Sequence, residues 1–94
     1  MNVHWTNHAL NHLVEIYQYI KTDSPRYALR VVDRITQRSK QIADFPRSGR
    51  RVPEYDHPDI REVFEGSYRV IYRIKKNQID VLSVIHSSQE DPFD

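Results

Sequence analysis

The fold is decided by one stretch in the second half of the chain, IREVFEGSYRVIYRIKKNQIDVLSVIH, which runs from residue 60 to residue 86. It is rich in β-branched and aromatic residues, and two short polar turns interrupt it. Gly66-Ser67 fits a two-residue hairpin turn with glycine first, and Lys76-Asn77 fits a second turn. The stretch therefore predicts three antiparallel strands joined by two hairpins.

The two turns also predict which side chains share a face of the sheet, because side chains alternate along a strand. One face collects an apolar set: Val63, Tyr68, Val70, Tyr72, Ile74, Ile79, Val81 and Ile85. The other face collects a mixed set: Ile60, Glu62, Phe64, Arg69, Ile71, Arg73, Asp80, Leu82, Val84 and His86. We expect helices to cover the apolar face and the mixed face to stay partly open.

Two helices are predicted upstream of this sheet. Residues 3–5 alternate weakly and predict a short strand. Thr6 is a suitable N-cap for a helix that should stop near residues 21–23. Ser24 and Pro25 are typical of the start of a second helix, which should end before Phe45-Pro46. Because the link between them is short, the helices should form an antiparallel hairpin.

The second helix carries two opposed stripes. Ala28, Val32, Ile35, Ser39 and Ile42 form the packing side, and Arg26, Arg30, Arg34 and Arg38 form a row at i, i+4 spacing. Residues 46–59 hold three prolines and a glycine and predict a loop. The order strand, helix, helix, three strands predicts an α+β fold with the helices packed on one sheet face.

The composition limits the function classes. The 94 residues make a single domain, 1–94, with no cysteine, which excludes disulfides and thiolate metal sites. No apolar run reaches membrane-spanning length, so we expect a cytoplasmic protein without a membrane partner. Residues 1–50 carry eight Lys and Arg against four Asp and Glu, whereas residues 51–94 carry six against nine. Residues 87–94 are polar and acidic and predict a flexible tail.

At this point the sequence resembles the RelE/ParE toxin superfamily. The resemblance spans residues 5–86 and rests on the order and spacing of several pieces: Trp5, Tyr19-Ile20, Phe45-Pro46, Gly49-Arg50-Arg51-Val52-Pro53-Glu54, Ile60-Arg61-Glu62, residues 68–74 and residues 81–86. It implies a toxin encoded beside an antitoxin that wraps around it, with larger toxin–antitoxin complexes as a further expectation. RelE-like members are described as ribosome-dependent endoribonucleases, and ParE-like members as inhibitors of DNA gyrase.

The chain departs from the RelE-like pattern in its tail. Cleavage of RNA through its own 2′-hydroxyl needs a base, an acid and cations on the phosphate. Arg69, Glu62 and His86 are the candidates for those roles. RelE-like toxins are rich in basic groups after the last strand, whereas residues 86–91 here read HSSQED. An acidic segment repels RNA phosphate, so the departure favours the ParE-like branch.

The candidate contacts with a target or an antitoxin are arginines. They are Arg61, Arg69 and Arg73 on the sheet and Arg26, Arg30, Arg34 and Arg38 on the second helix. Arg69 has no directly facing acid in the predicted register, and either a functional role or a diagonal pair with Glu62 fits it. Arg73 faces Asp80, which favours a structural ion pair. Arg61 fits both a role in holding the loop and contact with a target.

No cofactor or metal is predicted. His8 and His12 are four residues apart with His4 nearby, but they lack a convincing third ligand, so a solvated helix face is the better interpretation. We therefore predict a growth-arresting toxin that binds DNA gyrase and is neutralised by a cognate antitoxin. The alternatives are a RelE-like endoribonuclease acting on messenger RNA at the ribosome, and a non-toxic binding protein with the toxin fold.

Overall fold

Two helices packed on one face of a five-stranded sheet form the structure, a computed structural model that describes residues 1–91. The elements are β1 (Asn2–Trp5), α1 (Asn7–Lys21), α2 (Pro25–Ile42), a 3₁₀ turn (Pro46–Ser48), β2 (Arg50–Arg51), β3 (Ile60–Glu65), β4 (Tyr68–Ile74) and β5 (Gln78–His86). The predicted α+β architecture is confirmed. Residues 92–94, the end of the expected tail, lie outside the described part.

The sheet has the strand order β1-β5-β4-β3-β2. β3, β4 and β5 form the predicted antiparallel meander, while β1 lies parallel to β5, with Val3 opposite Ile79. β2 lies within residues 46–59, where the sequence predicts only a loop, and it pairs Arg50 with Glu62. Two residues are too few for an alternation to be visible, which is why the sequence pattern did not reveal this strand.

Both helices begin at the predicted caps. The Thr6 hydroxyl accepts the backbone N–H of Ala9 at 3.2 Å, and the Ser24 hydroxyl accepts that of Tyr27 at 3.2 Å. Between the helices and the sheet lies a core of buried residues: Ala9, Val31, Ile35, Ile42, Val63, Val70, Tyr72, Ile79, Val81 and Val84. Within residues 1–91, neither helix is long and apolar enough to cross a membrane.

A β-bulge at Leu82 changes the predicted faces of the sheet. Tyr72 lies opposite Val81, as expected, but Ile71 lies opposite Ser83, so Leu82 has no counterpart on β4. One extra residue turns every later side chain of the strand to the other face. The predictions for the end of β5 are therefore wrong. Val84 packs in the helix-side core, whereas Ile85 packs on the mixed face.

The mixed face is partly covered by the chain itself. Val52, Ile60, Ile71 and Ile85 form a second buried cluster, against which Tyr55 and Leu82 pack. Residues 52–59 thus cover part of the face that the sequence predicts to be open.

Close packing at Gly49 predicts that even a small substitution there lowers the stability of the fold. An added Cβ would overlap the Tyr72 hydroxyl and the Glu62 carbonyl oxygen. The Tyr72 hydroxyl is fixed because it donates to the Pro46 carbonyl at 2.6 Å. We expect Gly49→Ala to lower the free energy of unfolding by about 1–3 kcal/mol in urea titrations. In a Tyr72→Phe background the same change should cost less, and an equal cost in both backgrounds would contradict this contact.

Candidate functional site

Arg69 lies at the centre of a buried ionic network on the mixed face of the sheet. The residue is only 5% exposed. Its Nε donates to Glu62 at 2.6 Å, and its two terminal nitrogens donate to the two carboxylate oxygens of Glu54 at 2.9 and 2.8 Å. One of them also donates to the Gln89 carbonyl at 2.8 Å. All three guanidinium nitrogens are thus hydrogen-bonded within the protein.

The second carboxylate oxygen of Glu62 accepts from Arg50. This contact follows from the fold, because β2 places Arg50 directly opposite Glu62. The Glu62 side chain is fully buried between the two arginines. Arg50, Glu54, Glu62 and Arg69 are called the arginine–carboxylate network below. Its formal charges cancel, as the burial of ionised groups requires.

The network shifts the proton affinities of its members. Hydrogen bonds from Arg69, together with one from the Asp91 backbone N–H, lower the pKa of Glu54 to about 2, although burial opposes the shift. The pKa of Arg69 is raised, chiefly by its hydrogen bonds to Glu54. Both groups are therefore held in their charged forms at neutral pH.

Residues 87–91 are bound to the same site. The Asp91 backbone N–H donates to Glu54 at 2.8 Å, and the Asp91 carboxylate accepts from Ser83 at 2.7 Å and from Tyr55 at 3.1 Å. Asp91 is 4% exposed. The described part of the acidic segment thus folds back over the mixed face.

The three predicted ribonuclease residues do not form one site. Arg69 and Glu62 meet, and the diagonal pair between them is the alternative that the structure bears out. His86 was expected on the same face, but the bulge at Leu82 places it opposite Tyr68, on the helix side. There its ring meets the Tyr68 ring edge-on with centroids 5.9 Å apart, and its Nδ1 is 2.8 Å from the Ser88 hydroxyl.

The structure separates the remaining sheet arginines by their contacts. Arg73 lies opposite Asp80 as predicted, but the expected ion pair between them is wrong. Asp80 pairs with Lys75 at 2.6 Å, and Arg73 is exposed. Arg61 donates to the carbonyls of Pro58 and Gly49 at 2.8 and 3.1 Å. These contacts hold the loop in place, which is one of the two roles that the sequence left open for Arg61.

The arginine row of α2 faces away from the core. Arg26, Arg30 and Arg34 are exposed, as predicted. Arg38 is half-buried and donates to the Phe64 carbonyl at 3.4 Å.

One histidine of α1, His12, contacts the sheet. His12 Nδ1 accepts the backbone N–H of Val84 at 3.1 Å, and burial, assisted by the nearby His8, lowers the pKa of His12. The interpretation as a solvated helix face is therefore wrong for His12. Within residues 1–91 no three His, Asp or Glu side chains are grouped as a metal ion would need.

Several contacts of Arg69 and its partners could not be predicted from the sequence. Glu54, Gln89 and Asp91 reach Arg69 or its partners from separate parts of the chain. The resemblance includes Glu54 in its loop motif, which is the one signal that could have drawn attention to it.

Comparisons with known proteins include one match to a family model and one to a related protein. The family model described as "ParE toxin of type II toxin-antitoxin system, parDE" matches residues 3–91. A Sinorhizobium fredii protein described as "Putative toxin Y4kP" is 35% identical over 92 residues, covering 96% of this chain and 92% of that protein.

Solved structures show the same fold. The chromosomal ParDE toxin–antitoxin system of P. aeruginosa matches with a TM-score of 0.74 and 25% identity, over 92% of this chain and 95% of that one. The RelBE2 toxin–antitoxin complex of Mycobacterium tuberculosis matches with a TM-score of 0.61 and 23% identity, over 90% and 95% of the two chains. The YoeB dimer of Staphylococcus aureus matches with a TM-score of 0.60 and 16% identity, over 88% and 92%. The last two likenesses concern the fold alone.

Replacing the buried Arg69 should lower the free energy of unfolding far more than replacing the exposed Arg73. Arg69→Met leaves Glu54 without its guanidinium partner, and we expect a loss of about 3–5 kcal/mol in the free energy of unfolding. Arg73→Met is the matched control and should change it by less than about 0.5 kcal/mol. Urea titrations of both variants measure the difference, and similar losses would contradict a central role for Arg69.

The lowered pKa of Glu54 predicts acid sensitivity. Because this pKa is depressed in the folded state, its stabilising contribution is present above the ordinary value of 4.5 and is lost as the pH falls through about 2. The contribution is roughly 3 kcal/mol. Glu54→Gln should therefore be less stable than the wild type at pH 6 and should lose less stability between pH 5 and 2. Urea titrations across this range test it, and an unchanged pH dependence would refute it.

Proposed function

The chain belongs to the ParE toxin family of type II toxin–antitoxin systems, and we propose that it arrests growth in the cytoplasm by binding DNA gyrase. A cognate antitoxin neutralises it by binding to its surface. The proposed action is inhibition by contact, with no hydrolytic step catalysed by the toxin.

The state of the arginine–carboxylate network supports binding over RNA cleavage. A general base needs a free lone pair within reach of the proton that it removes. Glu62 is fully buried and already accepts from Arg50 and Arg69. A phosphate-binding arginine needs free donors, but four of the five N–H donors of Arg69 are already used by Glu54, Glu62 and Gln89. His86, the candidate acid, lies on the opposite face of the sheet.

The outer surface of α1 supports an antitoxin as partner. Leu10 and Val14 are 43% and 52% exposed, one helical turn apart. A shallow groove between the helices lies next to Leu10, and it is lined by Val14 together with Leu13, Tyr17 and Val32. Burying such apolar surface favours association with a complementary segment. The related P. aeruginosa structure is that of a ParDE toxin–antitoxin system.

Purified protein should inhibit gyrase directly. We expect it to stop ATP-dependent supercoiling of a relaxed plasmid in a dose-dependent manner, and to leave a messenger RNA intact on purified ribosomes. His86→Gln is the decisive variant, because it removes the candidate acid while keeping an amide nitrogen. It should inhibit gyrase as the wild type does.

Three outcomes separate the proposal from its alternatives. Transcript cleavage with unchanged supercoiling would refute gyrase binding and favour a RelE-like ribonuclease. Normal growth of a bacterial host after induction, with neither activity in vitro, would leave a non-toxic binding protein. Arrest in which DNA synthesis stops before protein synthesis would agree with the gyrase proposal.

A further inference from the structure

The arginine row of α2 differs from most other arginines of the described residues in its lack of acidic partners. Within residues 1–91, most other arginines contact a carboxylate: Arg47 binds Asp59, Arg50 binds Glu62, Arg51 lies 3.6 Å from Asp56, and Arg69 binds Glu54 and Glu62. In that same part of the chain, Arg26, Arg30 and Arg34 make no ion pair, and Arg38 hydrogen-bonds only to the neutral oxygens of Phe64 and Gln41. The row therefore presents net positive charge to solvent.

The geometry of the row is regular. At 1.5 Å rise per residue, arginines four apart follow one another every ~6 Å, and the row extends about 18 Å along the helix. Asp33, Gln37 and Gln41 lie on the same side, and Asp23 precedes Arg26 by three residues, so two carboxylates lie near four guanidinium groups. A length of about 18 Å corresponds to about five phosphates of one strand of duplex DNA, which carries one phosphate per ~3.4 Å of axis.

The character of this surface favours a nucleic acid over a protein. Protein interfaces have an apolar centre, in which charged residues other than arginine are depleted. Along the row the exposed side chains are arginine, aspartate and glutamine, with Tyr27 among them and Leu29 at the edge beside Asp33. Nucleic-acid interfaces are more polar and more positive, and most of their hydrogen bonds reach phosphate and sugar.

We propose that the arginine row of α2, Arg26, Arg30, Arg34 and Arg38, binds the phosphate backbone of duplex DNA. The toxin then contacts DNA close to its target as well as the target itself. The phosphate contact follows from charge and spacing alone, whereas the choice of DNA over RNA rests on the proposed function. The contact is sequence-independent, because a row of arginines on a backbone reads no base edges.

The salt dependence of binding to a 20-base-pair duplex tests the proposal. We expect fluorescence anisotropy between 50 and 200 mM NaCl to give a slope of log K against log salt of about −3 to −4, from up to four phosphate contacts. Arg30→Gln/Arg34→Gln should reduce the slope by about 2 and weaken binding by about 10- to 100-fold at 100 mM salt. Arg51→Gln/Lys76→Gln removes the same net charge from exposed sites elsewhere and should keep most of the wild-type slope.

Other results would overturn the proposal. Equal losses in the two double variants would mean that net charge alone drives the binding. Tighter binding to poly-glutamate than to DNA, lost in Arg30→Gln/Arg34→Gln, would assign the row to an acidic protein. Tighter binding to an RNA duplex would support the phosphate contact but overturn the choice of DNA. Because the assay contains no gyrase, its result stands apart from that of the supercoiling assay.

Discussion

The bidentate ion pair between Arg69 and Glu54 is the interaction on which the mixed face depends. A buried guanidinium is tolerated only when its donors meet acceptors and its charge is balanced. Glu54 belongs to the segment after β2, Glu62 to β3, and Gln89 to the segment after β5. One arginine on β4 therefore holds the segments after β2 and after β5 against the neighbouring strand β3. The segment after β2 that carries Glu54 also contributes to the second hydrophobic cluster. Its Val52 is part of that cluster, and its Tyr55 packs against it.

Much of the fold was predictable because local signals agreed with the tertiary structure. Thr6, Ser24 and Pro25 marked the helix starts, and Gly66 marked the first hairpin, where its φ of 56° suits glycine. The bulge at Leu82 was not predictable. Residues 81–85 read VLSVI, and in so apolar a run a shift by one residue leaves an equally hydrophobic pattern on either face. Packing against α1, where His12 binds the Val84 N–H, favours the shifted register.

The site was predictable only where short-range sequence patterns determine it. Arg69 and Glu62 lie on adjacent strands, so the hairpin register placed them near each other. The further partners of Arg69, Glu54 and the Gln89 carbonyl, are 15 and 20 residues from it in sequence, and no short-range pattern connects them. His86 was misplaced because its face depended on the bulge. The family resemblance identified the class of protein. Only the contacts in the structure show that the guanidinium group of Arg69 is already hydrogen-bonded within the protein.

The parallel pairing of β1 with β5 has a consequence for how the protein is made. Residues 2–5 pair with residues 78–81, so the first strand of the domain cannot pair until the last strand has been synthesised. Such a pairing between distant segments forms late and slowly. A nascent or cleaved chain that lacks β5 also lacks the strand against which α1 packs. A fragment that ends before β5 therefore lacks the partner of both β1 and α1, and the fold needs nearly the whole domain.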